Sequence, residues 1–292
     1  MQTRAGRLRS LLELVRLPNI FTAPADVVMG MAVSGAPLSP ANALLLLASA
    51  SAYAGGMALN DAFDAPLDAV ERPERPIPSG RLARAAAFWI GAACLAACVA
   101  LAAVAGRGPL AIAALLAAAI VLYDSAAKGT WAGPATMAAC RALNAGLGVS
   151  VGVVGLSSVQ PMAVLFLYIL VVTIVSRFEV IAAPVALVRA ATVAFGTLLA
   201  ISAAIALASW GPPGGLGIVF LVLLALWLGG PLRAAIHEPA PRQIIGVIKA
   251  AVLGIILLDA AFAGAARGLL PGLLVAALFL PAFILGRRFA SA

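Results

Sequence analysis

The chain has 292 residues, of which 64% are hydrophobic and only 10% charged, with a net charge of +8. Soluble domains carry roughly a quarter charged residues, so these charges are too few to cover the outside of a water-soluble fold. The positive excess implies no nucleic acid: no basic patch is interleaved with aromatics, and membrane topology and anionic headgroups already select such a surplus.

Residues 1–19 hold Arg4, Arg7, Arg9, Glu13 and Arg16. They read as a cytoplasmic N-terminal segment and not as a cleaved signal, because charges interrupt them and the apolar run comes later. Residues 20–286 then form a single transmembrane domain. Apolar runs long enough to cross the hydrocarbon fall at 20–34, 43–59, 85–105, 109–123, 133–156, 162–178, 188–209, 214–231 and 247–266. They are continuously apolar and do not alternate, so the expected fold is an all-α bundle of nine membrane helices and not a barrel. The stretch 269–285 holds Pro271 and Pro281 and reads as a tenth span or a bent hairpin arm. Residues 287–292 are a short tail. Of 19 basic residues only Arg107 and Arg267 fall on the far side of this topology, which places the amino terminus and the polar loops in the cytoplasm of a cell-membrane protein. Small residues at helical spacing, Ala48, Ala52 and Gly56, and more weakly Gly146 with Ser150, mark close helix packing.

Five of the eleven acids lie between Asp61 and Glu74, just after the second span. On a helix, Asp61, Asp64 and Asp68 share an arc of about 60°, with Asn60 at its border and Pro66 able to bend it. Three like charges on one face are tolerable when solvated and balanced by Arg72 and Arg75, or when a divalent cation lies between them. Hard oxygen ligands of this kind suit Mg²⁺, which usually bridges carboxylates to a substrate phosphate. At a membrane surface that points to a phosphorylated lipid. The loop Arg72–Gly80 is stiffened by Pro73, Pro76 and Pro78. It can hold Arg75, and less firmly Arg72, over phosphate oxygens, although topology alone also places arginines there.

Further along, Tyr123 to Thr130 forms a second polar cluster on the same side. Lys128 can neutralise phosphate and Tyr123 can orient a headgroup; the alternative is an interfacial belt with a snorkelling lysine. Arg141 and Asn144 fall one turn apart inside the fifth span and are expected to face a polar cavity. Asp26, Glu179 and Asp259 are the remaining intramembrane ionisable groups; for Asp26 and Asp259, pairing with Arg141 or Arg189 is equally consistent. Cys94, Cys98 and Cys140 sit in apolar spans without a CxxC spacing and read as small hydrophobes. His237 reads as an ordinary interfacial residue.

Asn60-Asp61-x-x-Asp64-x-x-x-Asp68, followed by Arg75-Pro76-Ile77-Pro78-Ser79-Gly80, resembles the first aspartate-rich motif of the UbiA superfamily of intramembrane prenyltransferases. The Leu14-x-Arg16-x-Pro18-Asn19 opening, the Tyr123…Lys128 element and the helix count agree, over residues 11 to 266. Tyr-Asp-x-x-x-Lys at 123–128 and Cys-Arg-x-Leu-Asn at 140–144 are most similar to the EboC-type UbiA-like proteins. The resemblance implies a ring of helices around a central cavity and Mg²⁺-dependent transfer of a polyprenyl group from an isoprenyl diphosphate to a small, aromatic or other, acceptor. It implies Asp61, Asp64 and Lys128 as the catalytic set, with Asn60 and Asp68 completing the metal–diphosphate shell. Arg75 and Lys128 become phosphate clamps, and Arg72, Tyr123, Arg141 and Asn144 further contacts to substrate.

The pattern departs from that family after the sixth span. Its second aspartate-rich motif is replaced by Ser176-Arg177-Phe178-Glu179, followed by no aspartate before the seventh span. Glu179 is the single carboxylate left to bind metal there, and Arg177 stands where it can contact diphosphate directly. A non-catalytic binder or carrier of a lipid diphosphate is the alternative this departure raises.

Overall fold

The computed structural model describes residues 4–37 and 39–288. From the amino terminus, the helices are α1 (Arg4–Leu14), α2 (Thr22–Ser34), α3 (Pro40–Glu71), α4 (Arg84–Ala105), α5 (Arg107–Leu122), α6 (Gly133–Val149), α7 (Leu156–Ser176), α8 (Val185–Trp210), α9 (Gly215–His237), α10 (Pro241–Arg267), α11 (Leu269–Ala277) and α12 (Phe279–Arg288). Eight helical stretches among the described residues are long and apolar enough to span a bilayer, α11 and α12 counting together as one. The short α2 and α6 also run through the bundle.

Each of α2 to α10 packs on its successor, and α10 returns to α2, closing a ring. Inside that ring α2 crosses directly onto α6. Two large apolar cores result, one among α2 and α6–α12, the other among α2–α6, so α2 and α6 are the wall they share; a smaller third joins Leu14 of α1 to α3 and α4. The crossing is backbone on backbone: a Cβ on Gly30 would stand 2.2 Å from the Ala145 carbonyl oxygen, and one on Gly148 would stand 2.0 Å from that of Val27. Burial separates inner from lipid-facing helices. In their most apolar windows α10 is 67% buried and α5 only 22%.

Three helices outrun the expected spans by six residues or more at the acid-rich end. α3 continues through Pro66 to Glu71, α9 continues through Pro231 to His237, and α10 starts at Pro241. The fifth span stops earlier than expected, at Val149, where a turn through Gly152 lets the Val153 N–H donate to the Ser34 carbonyl at 2.8 Å. The region 269–288 is a single bent crossing, broken at Leu278; Pro281 lacks the N–H that would bond across the break. Of the expected tail 287–292, residues 289–292 lie outside the described residues. The three cysteines are free; Cys98 and Cys140 are buried, as small apolar residues would be, and Cys94 half-buried. His237 is exposed in the last turn of α9.

Candidate active site

The acid-bearing segment is not a loop but the last three turns of α3, which keeps Asn60, Asp61, Asp64 and Asp68 on one side of a single rod. Asn60, Asp61 and Asp68 are buried. Each acid meets a cation from a different part of the chain. The loop after α3 folds back, held by Ser79 Oγ donating to the Arg75 carbonyl at 2.6 Å and by Gly80 in a left-handed conformation (φ 73°). This buries Arg75 with its Nη1 2.7 Å from Asp68 and 3.5 Å from Asp61. Arg16 approaches Asp61 from the other side, at 3.4 Å. Its own backbone is left-handed (φ 48°), strained for a residue with a Cβ. The kink ends α1 and turns the chain into the short 3₁₀ helix Leu17–Phe21.

Lys128 pairs with Asp64. It reaches that carboxylate because α5 ends in a π-helical turn, Tyr123–Ala127, in which the Lys128 N–H donates five residues back to the Tyr123 carbonyl at 3.0 Å. A π turn inserts one residue and so rotates the side chains beyond it about the helix axis. The same turn buries Asp124, which accepts from Asn60 Nδ2 at 3.0 Å. Together these contacts join Asn60, Asp61, Asp64, Asp68, Arg75 and Lys128 in one face.

Beneath that face lies an apolar cavity of ≈ 80 Å³, bounded by α2, α3, α5 and α6. Tyr123 and Asp124 stand at its mouth; Gly56, Leu116, Ile120 and Met137 line its walls. Arg141 and Asn144 close it. Arg141 is held by Asp26 at 2.7 Å and Thr22 at 2.5 Å and lies over the Tyr53 ring at 5.7 Å. Asn144 donates to Asp26 at 2.7 Å and accepts from Ser49 at 2.7 Å. Both residues line a cavity, but an apolar one and not the polar one expected, and each is paired with polar groups behind it. Asp259 is buried with its carboxyl against that of Asp26 and has no cation of its own among the described residues; Arg189 is exposed and plays no part.

Arg72, Arg177 and Glu179 stand apart from this face. Arg72 reaches Glu179 at 2.5 Å, with both side chains about one-third exposed (29% and 35%). Burial works against the Arg72 charge, but the Glu179 carboxylate outweighs it and holds the guanidinium above its ordinary pKa. Arg177 is exposed and donates to the Thr130 carbonyl. Glu179 and Arg177 thus touch the loops that carry Arg72 and Lys128, and neither contacts Asp61 or Asp64. Among the described residues no three acidic, histidine or cysteine side chains gather as a ready metal cluster, since arginine or lysine lies between the acids. The donor set nevertheless fits Mg²⁺: Asp61 and Asp64 are hard oxygen ligands one turn apart, and the contacts that engage Asp61 are long.

Two residues of this face escape a reading of the sequence for site chemistry, Arg16 and Asp124. Arg16 belongs to the Leu14-x-Arg16-x-Pro18-Asn19 opening, whose chemistry is silent until α1 folds against α3. Asp124 follows Tyr123 in the polar cluster, yet its inward aim depends on the π turn.

Known proteins share both the sequence and the fold in part. A digeranylgeranylglyceryl phosphate synthase of Methanopyrus kandleri is 44% identical over 123 residues, which is 42% of this chain and 45% of that protein. The chain therefore matches less than half the length of that relative. Two solved structures share the fold at lower identity. A UbiA homologue from Aeropyrum pernix superposes with a TM-score of 0.68 at 18% identity, covering 83% of this chain and 96% of that one. One from Archaeoglobus fulgidus, bound to GPP and Mg²⁺, gives 0.60 at 17%, covering 87% and 99%. The model of the UbiA prenyltransferase family matches residues 20–238, the ring from α2 to the end of α9. With three-quarters of its length so matched, the chain belongs to the UbiA prenyltransferase family.

Proposed function

We propose that this chain transfers a polyprenyl group from an isoprenyl diphosphate to a small acceptor within the membrane, in an Mg²⁺-dependent reaction. The observation that carries this reading is the acid-and-cation face of Asn60, Asp61, Asp64, Arg75 and Lys128 set over an apolar cavity. Asp61 and Asp64 would hold the metal, with Asp68 behind them and Glu179 as a peripheral carboxylate. Bound Mg²⁺ would supply Lewis-acid neutralisation of the diphosphate leaving group. Lys128 and Arg75 are placed to stabilise the negative charge that develops on the departing oxygen, and Arg16, Arg72 and Arg177 surround them with further positive charge. Asn60 fixes Asp124, and Tyr123 orients the diphosphate end at the cavity mouth. The cavity walls take the prenyl chain and keep water from the allylic carbocation, with Arg141 and Asn144 at the closed end.

The acceptor is an electron-rich small molecule, aromatic or, following the product named for the Methanopyrus protein, a glyceryl phosphate. The closer likeness to EboC-type proteins rests on the 123–128 and 140–144 signatures. The basic residues set the acid-rich end in the cytoplasm of the cell membrane.

A second reading has its own support. Glu179 is committed to Arg72 and no second aspartate motif exists, which favours a lipid-diphosphate binder or a carrier of a lipid-like metabolite that does not turn over. Purified protein incubated with labelled prenyl diphosphates of several lengths, Mg²⁺ and a membrane lipid extract separates the two. Transfer to an extractable acceptor supports the enzyme. Mg²⁺-dependent binding with no diphosphate release at any chain length would leave only the binder.

A further inference from the structure

A second cavity, ≈ 340 Å³, lies outside the ring, between the kink at Arg16, the acid-end halves of α9 and α10, and α12 of the bent arm. One wall is aromatic. Trp227 donates its indole N–H to the Ala250 carbonyl at 2.8 Å, which fixes the ring. Phe279 meets it edge-on at 4.9 Å, and Phe283 stacks on Phe279 at 6.1 Å. Above this wall are three cations, Arg16, Lys249 and Arg287. Glu13, the one acid in the lining, is already engaged by Arg9 and Arg81. Lys249 is exposed and forms no ion pair with an acid among the described residues. Among the described residues Arg287 has only the Phe283 ring, at 5.7 Å.

We propose that this cavity is a binding site for a phosphate-headed membrane lipid, with the phosphate on Lys249 and Arg287 and one hydrocarbon chain along Trp227, Leu253 and Phe283. Charge complementarity selects the head: Lys249 and Arg287 line one cavity without an acid partner among the described residues, and its one carboxylate, Glu13, is taken up by Arg9 and Arg81. Depth selects a lipid over a free anion. α10 is about 40 Å long, some 10 Å more than the hydrocarbon it crosses, and Lys249 lies about 12 Å along it. The Lys249 backbone therefore lies just inside the hydrocarbon boundary, and its long side chain reaches back to headgroup level with apolar wall below it. Basic pockets between membrane helices at this depth suit anionic heads. Arg16, Lys249, Phe283 and Arg287 lie outside residues 20–238 matched by the family, and Trp227 lies within them. The site does not depend on the proposed transfer. Arg16 also contacts Asp61, which gives a bound phosphate one side chain in common with the acid face.

The full chain is purified in detergent and probed by native mass spectrometry with phosphatidic acid, with phosphatidylcholine of the same chains, and with inorganic phosphate. Retention of one phosphatidic acid per chain, at least tenfold over phosphatidylcholine and with no retention of inorganic phosphate, is the expected result. K249Q/R287Q should cut that excess at least fivefold, and W227A should weaken it with the charges intact. Binding of geranyl diphosphate with Mg²⁺ should be unchanged in K249Q/R287Q. Should that double variant not fold, K249E alone, at an exposed position, carries the same test. Equal retention of the two lipids, retention of inorganic phosphate alone, or an undiminished excess in the variants would overturn the proposal. So would loss of geranyl diphosphate binding in K249Q/R287Q. If the wild-type chain binds no geranyl diphosphate, the transfer reading fails and the lipid arms still decide this one.

Discussion

Asp26 and Arg141 form a 2.7 Å ion pair across the α2–α6 crossing, each eight residues before the last residue of its helix (Ser34 and Val149). Asp26 is fully buried and the Arg141 side chain is 11% exposed. Removing one partner of such a pair leaves an uncompensated buried charge, which costs about 3–5 kcal/mol. Asp26→Asn or Arg141→Met is expected to lower the unfolding temperature in detergent sharply, and the double variant to lose less than the two singles added together. Additive losses would show that the two charges do not depend on each other.

Asp259 should behave in the opposite way. Its one polar contact is carboxyl to carboxyl with Asp26, and no cation among the described residues pairs with it, so that contact offsets only part of its desolvation penalty. Asp259→Leu is expected to leave the unfolding temperature unchanged or raise it, because Asp26 keeps Arg141; a drop as large as that of Asp26→Asn would show that the carboxyl–carboxyl contact holds the crossing together.

Asp61→Asn and Asp64→Asn should both insert and fold, because other cation–acid contacts hold that end of α3. Each is expected to weaken Mg²⁺-dependent geranyl diphosphate binding tenfold or more, measured by calorimetry or filter binding. Lys128→Gln should weaken diphosphate binding without changing the Mg²⁺ concentration needed for half-saturation. An unaltered metal titration in both aspartate variants would remove the proposed role of the α3 acids.

Glu179→Gln tests how far the metal site extends. Half-exposed ion pairs are worth about 0–1 kcal/mol, so unfolding should shift little. The Mg²⁺ titration should move less than threefold, since Glu179 is occupied by Arg72 and lies off the acid face. A shift as large as that of Asp61→Asn would make Glu179 a ligand.

Gly148→Val places a side chain where only 2.0 Å separates a Cβ from the Val27 carbonyl. Overpacking costs typically 1–3 kcal/mol, more where both neighbours are backbone. The variant should lose folded yield by size-exclusion chromatography, whereas Gly155→Ala, in open space, should not.

The continuous apolar runs made the number and class of helices readable, because hydropathy reports where hydrocarbon surrounds the chain. It does not report where a helix ends. α3, α9 and α10 therefore run farther at their polar ends than their apolar stretches indicate, and the acids beyond the second apolar stretch sit on α3 itself. The one-face arrangement of Asp61, Asp64 and Asp68 was readable because it needs only helical periodicity. The inward aim of Asp124 was not, since the π turn that produces it breaks that periodicity. Nor was the place of Arg16, which reaches Asp61 across 45 positions of sequence by a left-handed backbone that no glycine announces. Arg141 was visible as a costly charge. Its choice of Asp26 over Asp259 depends on the Gly30–Gly148 crossing, which is a matter of tertiary packing.

The shared wall of α2 and α6 has a consequence for biogenesis. α2 is 13 residues long and carries Asp26; α6 is 17 and carries Arg141. A lone charge near the middle of a helix costs about 2.5–3.5 kcal/mol on membrane insertion, and neither helix has length to spare for compensation. α2 leaves the ribosome more than 100 residues before Arg141 exists to neutralise it. The first helix of the ring thus enters the bilayer as a weak, unsettled segment, held by the arginines that precede it. It becomes a stable crossing only when α6 arrives, so the two halves of the protein cannot mature independently.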